Sequence, residues 1–132
     1  MRFTFKKEER LKSKKIIGRL FNKEGQSFAI HPLRIIWLTT PLPSDYPVQF
    51  GTVVPKRHFK KAVARNRIKR QIKETYRLNK HLIYEHLNQK EKQCAIMVVY
   101  TGKEEVEFDE LDKKMQQIIR KFIKRTKTRI KK

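Results

Sequence analysis

The sequence predicts a single α+β domain over residues 1–132, with helices packed on a small β-sheet in the order α-β-β-α-β-α. Segments with helical spacing of apolar residues alternate with short runs of β-branched and aromatic residues. The length of 132 residues suits one compact domain. The apolar fraction of 38% is low but sufficient for one core.

The N-terminal half is predicted to contain one helix and two strands. Helical spacing of apolar residues indicates a short helix over about 9–22, and Gly25 marks a turn after it. The run 33–39 is rich in β-branched and aromatic residues and predicts the first strand. The proline-rich stretch 41–47 forms a loop, and 48–54 is the second strand.

The C-terminal half is predicted to contain two helices around one strand. A basic helix covers about 62–81, and its pattern either continues to about 87 or restarts after Asn79. The nearly continuous apolar run 93–101 is typical of a strand covered on both faces. A long amphipathic helix follows, and the basic tail is expected to fray from about 124. The helix between the second and third strands implies a crossover, which is right-handed by default if those strands are parallel.

The charge of the chain favours a polyanionic partner. There are 34 Lys or Arg against 13 Asp or Glu, a net charge of +21. Solubility of a small domain needs a net charge of only about 2–8. Nucleic acid is the favoured partner, and an anionic membrane surface is the weaker alternative. Self-repulsion at this charge predicts a monomer when the protein is free.

Other features restrict the location and the chemistry. No apolar run is long enough to span a membrane, and the N-terminus lacks the apolar core of a signal peptide, so cytoplasmic residence is expected. The lone Cys94 lies in an apolar run and is predicted to be a buried strand residue. Neither an internal disulfide nor a Cys/His zinc site is expected.

The basic helix carries the densest charge. Between Lys56 and Lys80 there are 11 Lys or Arg and one acid, Glu74. Like charges stand four residues apart, as with Lys69 and Lys73, which costs a few tenths of a kcal/mol per pair in isolation. That arrangement becomes favourable when phosphates replace condensed counterions.

The same helix carries a motif that resembles the bacterial ribonuclease P protein subunit. The family pattern has the form K-x-x-G-x-A-V-x-R-N-R-x-K-R-x-x-R-E. Similarity extends to the N-terminal half, through Arg10-Leu11-Lys12, Phe21, Gly25, Phe28 and Pro32-Leu33, and so spans nearly the whole chain. The residues that match the pattern are Ala62, Val63, Arg65, Asn66, Arg67, Lys69, Arg70 and Glu74.

Three positions depart from the family pattern. Lys60 stands where the family has glycine, and Lys73 stands where it has arginine, which keeps the charge but loses the bidentate fork. Ile17 stands where the family has an aromatic residue, one turn before Phe21.

The resemblance implies a subunit that assembles with a large catalytic RNA. That RNA holds the magnesium ions and cleaves the 5′ leader from precursor tRNA, and the protein binds no cofactor of its own. The family's crossover is left-handed, which overrides the default. The Arg-Asn-Arg helix would bind the catalytic RNA, and a cleft between the sheet and the first helix would bind the leader. The implied RNA-binding residues are Lys56, Arg57, Lys61, Arg65, Asn66, Arg67, Lys69, Arg70, Lys73 and Arg77, and the implied cleft residues are Ile17, Phe21, Phe28 and Trp37.

Several of these residues have a structural alternative. Asn66 either bonds RNA or makes a hydrogen bond at the helix start that sets the preceding loop. Phe21, Phe28 and Trp37 either stack on leader bases or belong to the core, and Ile17 is predicted to be a core residue.

Catalysis by the protein itself is not predicted. The four histidines are scattered, and Asp109, Glu110 and Asp112 suit a helix start better than a metal site. Two other functions stay open on composition: a non-catalytic RNA-binding module, such as a ribosomal or RNA-chaperone protein, and a metal-dependent nuclease.

Overall fold

The computed structural model describes residues 5–127, and it confirms the α+β class with three α-helices and four strands in that range. A 3₁₀ turn at Lys7–Glu9 precedes the first helix. The elements are α1 (Lys14–Arg19), β1 (Gln26–Ile30), β2 (Leu33–Thr39), β3 (Val48–Val53), α2 (Ala62–Lys90), β4 (Cys94–Tyr100) and α3 (Phe108–Lys127).

The sheet has the strand order β1-β2-β4-β3. Strand β2 pairs antiparallel with both β1 and β4, and β3 runs parallel to β4. Helix α2 makes the connection between the two parallel strands, as expected for a crossover.

Strand β1 is absent from the predicted order, which is corrected to α-β-β-β-α-β-α. It forms a hairpin with β2 through the two-residue turn His31-Pro32. Phe28 is its one fully buried residue, while Gln26, Ser27 and Ala29 are exposed. An edge strand with so little apolar surface has a weak sequence signal.

The sheet is covered on both faces. Helices α2 and α3 cover one face, the α2–α3 face, where Trp37, Phe50 and Ile96 belong to the main core. Helix α1 partly covers the other, the α1 face, through a smaller apolar cluster that includes Ala95 and Met97. Strand β4 therefore contributes apolar side chains to both clusters, which explains its continuous apolar run.

Cys94 is buried at the start of β4, as predicted. Burial raises the pKa of its thiol to about 12, so the group stays protonated near neutral pH.

Helix α1 is shorter than the predicted span of about 9–22. The Ser13 hydroxyl caps its start by accepting a hydrogen bond from the Ile16 amide at 3.2 Å. The chain leaves the helix through an irregular turn at Leu20–Glu24, where Lys23 has φ 73°. Gly25 then packs tightly, because a Cβ atom there would lie 2.6 Å from the Leu20 carbonyl oxygen and 3.0 Å from Ile36 Cγ2.

Gly25→Ala is therefore expected to lower the free energy of unfolding by about 1–3 kcal/mol, because the added methyl group meets backbone that cannot yield easily. Urea unfolding measures the change. Gly18→Ala is the matched control, since a Cβ atom at Gly18, inside α1, meets nothing within 4 Å. Helix propensity predicts that the control gains up to about 1 kcal/mol. Destabilisation of similar size at both positions would contradict the steric explanation.

Helix α2 continues without a restart from Ala62 to Lys90, which confirms the first of the two predicted alternatives. Asn79 stays within the helix because its side-chain amide donates to the Thr75 carbonyl at 2.7 Å and to Asp112 of α3 at 3.0 Å. The helix ends at Glu91, which adopts the left-handed conformation with φ 54°.

Helix α3 continues to Lys127, past the position at about 124 where the basic tail is expected to begin. Thr126 lies in this last turn, where its hydroxyl donates to the Phe122 carbonyl at 2.8 Å and shares a 2.7 Å hydrogen bond with His86 of α2. The rest of the predicted tail, 128–132, lies outside the described residues.

Candidate nucleic-acid interface

The N-terminal half of α2 and the loop before it present the predicted cationic surface. Asn66, Arg70 and Lys73 follow one another at intervals of three or four residues and therefore share one side of the helix. All three are exposed. The face of α2 that carries Ile68, Ile72 and Tyr76 is buried in the core.

Arg65 has a structural role that the sequence did not indicate. Its guanidinium folds back and donates to the carbonyl oxygens of Phe59 and Lys60, both at 2.9 Å. Lys61, at the helix start, makes no side-chain cap. Arg65 thus holds the loop before the motif, including Lys60, the position where the family pattern has glycine.

Asn66 does not perform the helix-start role. It lies beyond the first turn of α2, it is exposed, and within the described chain its side chain makes no hydrogen bond. Because Arg65 already binds the preceding loop, the structure leaves the Asn66 amide available to a partner.

Two predicted phosphate ligands are paired with carboxylates. Arg67 makes a bidentate contact with Glu105, at 2.8 and 2.6 Å, and Arg77 makes one with Glu74, at 3.1 and 2.6 Å. The hydrogen bonds that Arg67 donates to Glu105 raise the pKa of Arg67 and lower the pKa of Glu105. Such exposed pairs are weak, so a phosphate can displace the carboxylate from either arginine.

Of the other seven predicted RNA ligands, six are cations with uncompensated charge and one, Asn66, is neutral. Among residues 5–127, no carboxylate forms an ion pair with any of the six cations of this group. All members are exposed except Lys69, which is half-buried. The group consists of Lys56, Arg57, Lys61, Asn66, Lys69, Arg70 and Lys73, and we call it the α2 cationic surface.

The predicted cleft residues separate into two pairs. Ile17 is half-buried against the apolar cluster of the α1 face, as predicted for a core residue, and Phe21 follows it with 52% of its surface exposed. Phe28 and Trp37 lie on the α2–α3 face instead, with ring centroids 5.7 Å apart, and Trp37 also contacts Phe122 of α3. Their placement in the cleft is therefore corrected to the core.

Sequence reasoning missed three apolar residues on the α1 face, where the leader cleft is expected. Ile36, Val53 and Val99 are half-buried apolar residues on the α1 face, beside the small cluster that α1 covers. These residues occupy the alternating positions of each strand that point away from the α2–α3 face, and their apolar character was visible in the sequence. Alternation alone does not identify which face of the sheet a helix covers.

No group of three or more His, Cys, Asp or Glu side chains that could hold a metal ion occurs within residues 5–127. No helix in that range is long and apolar enough to cross a membrane.

The fold and the α2 cationic surface together define a small α+β protein with a helix suited to a polyanion. The family model for ribonuclease P matches residues 5–123. The chain belongs to the ribonuclease P protein family. Proteins of this family are components of an enzyme that processes tRNA, and they bind RNA.

Individual relatives agree with this assignment. The chain is 34% identical over 117 residues to the ribonuclease P protein component of Porphyromonas gingivalis, covering 86% of this chain and 82% of that protein. It is also 34% identical over 125 residues to the component of Pseudoalteromonas translucida, covering 95% and 81%.

Solved structures share the fold. The ribonuclease P protein of Thermotoga maritima superposes with a TM-score of 0.67 at 25% identity, covering 86% of this chain and 96% of that one. The Staphylococcus aureus protein superposes with a TM-score of 0.68 at 20% identity, covering 86% and 94%.

Proposed function

We propose that this chain is the protein subunit of a ribonuclease P ribonucleoprotein that matures the 5′ ends of tRNA in the bacterial cytoplasm. It binds the catalytic RNA through the α2 cationic surface and the precursor-tRNA 5′ leader in the cleft beside α1. The RNA carries out the hydrolysis and holds the magnesium ions. No residue of the protein is assigned a catalytic role, and the free protein is a monomer.

The observation that carries the proposal is the α2 cationic surface itself. Six cations without a carboxylate partner among the described residues, together with the exposed amide of Asn66, lie on or just before a single helix. Arginine presents a planar fork to phosphate and lysine a point charge, so these groups supply affinity and register rather than base recognition. A folded RNA presents closely spaced phosphates, which can neutralise the closely spaced cations of this surface.

Leader binding is supported by the exposed Phe21 and the half-buried apolar floor of the α1 face. A base stacked on an aromatic ring contributes about 1–3 kcal/mol, with little sequence preference. Lys14 and Lys15 are exposed on α1 and can contact the backbone of a strand bound there.

One reconstitution tests the proposal. The protein is mixed with a bacterial ribonuclease P RNA at low magnesium, and cleavage of precursor tRNA is followed. Stimulation above the RNA alone is expected. If the protein binds RNA without stimulating cleavage, it is a general RNA-binding module, and cleavage by the protein alone would favour a nuclease.

Arg65→Ala is expected to weaken binding of the catalytic RNA about tenfold, because the loop that carries Lys56, Arg57 and Lys61 loses its anchor. The slope of log affinity against log salt should change little, since Nη1 of Arg65 donates to both loop carbonyls and holds the guanidinium against the loop. Filter binding over a salt series measures both quantities. A fall in slope as large as that for Arg70→Ala would instead show that Arg65 contacts phosphate directly.

A further inference from the structure

Residues 5–11, which we call the strap, connect the two faces of the sheet. Phe5 packs in the main core of the α2–α3 face, edge-on to both Phe50 and Tyr76. Leu11, at the other end, belongs to the cluster of the α1 face. Strand β3 is the last strand of the sheet on this side, so the strap passes around its free edge.

Few backbone hydrogen bonds hold the strap to that edge. The Leu11 amide donates to the Phe50 carbonyl at 3.0 Å, and the Gln49 side chain donates to the Glu8 carbonyl at 3.1 Å. Arg10 forms an isolated parallel bridge with Phe50. So short a pairing fixes the position of the strap along the edge only weakly.

A buried cluster around the Glu9 carboxylate fixes the position of the strap along the edge of β3. Only 1% of Glu9 is exposed, and its carboxylate accepts hydrogen bonds from the Lys80 ammonium and the Tyr84 hydroxyl of α2. It also accepts one from the Lys6 amide at 2.8 Å. The Lys80 ammonium lies 5.8 Å from the Phe5 ring centre and 5.2 Å from that of Tyr84. Two of these hydrogen bonds, from Lys80 and Tyr84, join the strap to α2, and the third, from the Lys6 amide, holds the Glu9 carboxylate within the strap. Together they fix the strap in one position against α2.

The far end of the strap determines where α1 lies. Leu11 packs beside Gly51 and Met97, because a Cβ atom at Gly51 would lie 3.6 Å from Leu11 Cβ and 3.2 Å from the Met97 sulfur. Ser13, two residues on, caps α1. A displacement of the strap along β3 would therefore move Leu11 and α1 relative to the cleft floor.

We propose that Glu9 and Lys80 are positioning residues for leader binding: their buried ion pair fixes the strap, and the strap sets the width of the cleft between α1 and the sheet. The inference rests on the leader-binding part of the proposed function. It links α2, which binds the catalytic RNA, to α1, which borders the leader cleft. Because its ammonium is buried against Glu9, Lys80 does not belong to the α2 cationic surface.

Stability alone does not explain why this connection is ionic. Well-packed apolar residues in place of a buried ion pair often give equal or greater stability. An apolar contact tolerates sliding, whereas hydrogen bonds to a carboxylate do not. A buried ion pair that fixes the position of the strap also fixes the width of the neighbouring cleft, and that width affects how a strand binds.

The test uses the holoenzyme reconstituted from the full chain and a bacterial ribonuclease P RNA. The variant Glu9→Ala/Lys80→Ala removes both charges together, so neither is left buried and unpaired. Affinities are measured for precursor tRNA with a leader and for mature tRNA without one. The ratio of the two affinities, the leader effect, is expected to fall about tenfold, because displacement of a binding group by about 1 Å can cost that much or more. Affinity of the protein for the catalytic RNA should stay within about twofold, since no residue of the α2 cationic surface is changed.

Asp112→Asn is the matched control. It changes a partly buried carboxylate that contacts α2 at Asn79, next to Lys80 in sequence, but it does not touch the strap. It should leave the leader effect unchanged. Tyr84→Phe, which removes one hydrogen bond from the Glu9 carboxylate, provides a milder variant if the double variant fails to fold, and it should reduce the leader effect about two- to threefold.

The outcomes separate the inference from the proposed function. If the wild-type holoenzyme shows no leader effect, the proposed leader binding fails. If the wild type shows one and the folded double variant, or Tyr84→Phe in its place, keeps it in full, the positioning role is overturned. Equal reductions in leader effect and in catalytic-RNA affinity also overturn it, because they indicate general loosening of the fold.

Discussion

Lys80→Ala is expected to lower the free energy of unfolding by roughly 3–5 kcal/mol, because it leaves the Glu9 carboxylate buried without its cationic partner. Lys80 is itself only 5% exposed, so water cannot readily replace the ammonium. The measurement is urea unfolding at neutral pH, with an unchanged slope as evidence that the folded state stays compact. Removing both partners in Glu9→Ala/Lys80→Ala should cost less than Lys80→Ala alone, since no charge is then left unpaired.

The same cluster predicts a pH dependence. Burial raises the pKa of Glu9, but hydrogen bonds from the Lys6 amide, Lys80 and Tyr84 outweigh it, so the pKa lies below its ordinary value of 4.5. A carboxyl with a depressed pKa in the folded state stabilises the protein above its unfolded-state pKa and loses that contribution as pH falls through the folded-state pKa. Wild-type stability should therefore fall below about pH 4.5, and the double variant should lack this part of the fall. Identical acid profiles would show that Glu9 does not contribute.

The fold was largely predictable because most of its elements have strong local patterns. Many residues along β4 are buried, which gives its apolar run, and one face of α2 is buried along the helix, which gives its helical spacing of apolar residues. Strand β1 was missed because it buries only one residue fully and so has no clear alternating pattern. Its antiparallel pairing with β2, which the sequence does not reveal, stabilises the strand. The sequence could not decide whether α2 continues past Asn79, because the hydrogen bond that supports the helix there comes from Asp112, a residue of another helix.

The residues of the candidate site were predictable from the sequence, but the ion pairs that some of them form were not. A helical wheel places Arg67 beside the row of cationic residues on α2. Its partner Glu105 is 38 residues away, and only the packing of α3 against α2 brings the two together. Glu9 stands in a charged stretch and gives no sign of burial. The sequence left both the cleft and the core open for Phe28 and Trp37, because alternation fixes relative but not absolute orientation, and the structure places both in the core.

Arg70→Ala/Lys73→Ala is expected to weaken binding of the catalytic RNA by about 100-fold, roughly tenfold for each charge-assisted hydrogen bond to phosphate that is removed. Both side chains are exposed on one face of α2, and no carboxylate among the described residues pairs with either. The slope of log affinity against log salt should fall by about 1.4–1.8, which corresponds to two phosphates. Arg70→Ala alone should give about half of that reduction. Filter binding across a series of salt concentrations measures both quantities.

The α3 variant Lys113→Ala/Arg120→Ala is the matched control for this prediction. It removes the same net charge from exposed positions on a different helix, and it leaves the α2 cationic surface intact. If binding depended on net charge alone, both double variants would show the same reduction in affinity and in salt slope. If α2 is the docking surface, the control keeps the wild-type slope of log affinity against log salt. The α2 variant then binds more weakly and shows a smaller slope over the same salt series. Equal reductions would assign the affinity to the charge of the whole protein, and the Arg65-Asn66-Arg67 helix would then no longer be its docking surface.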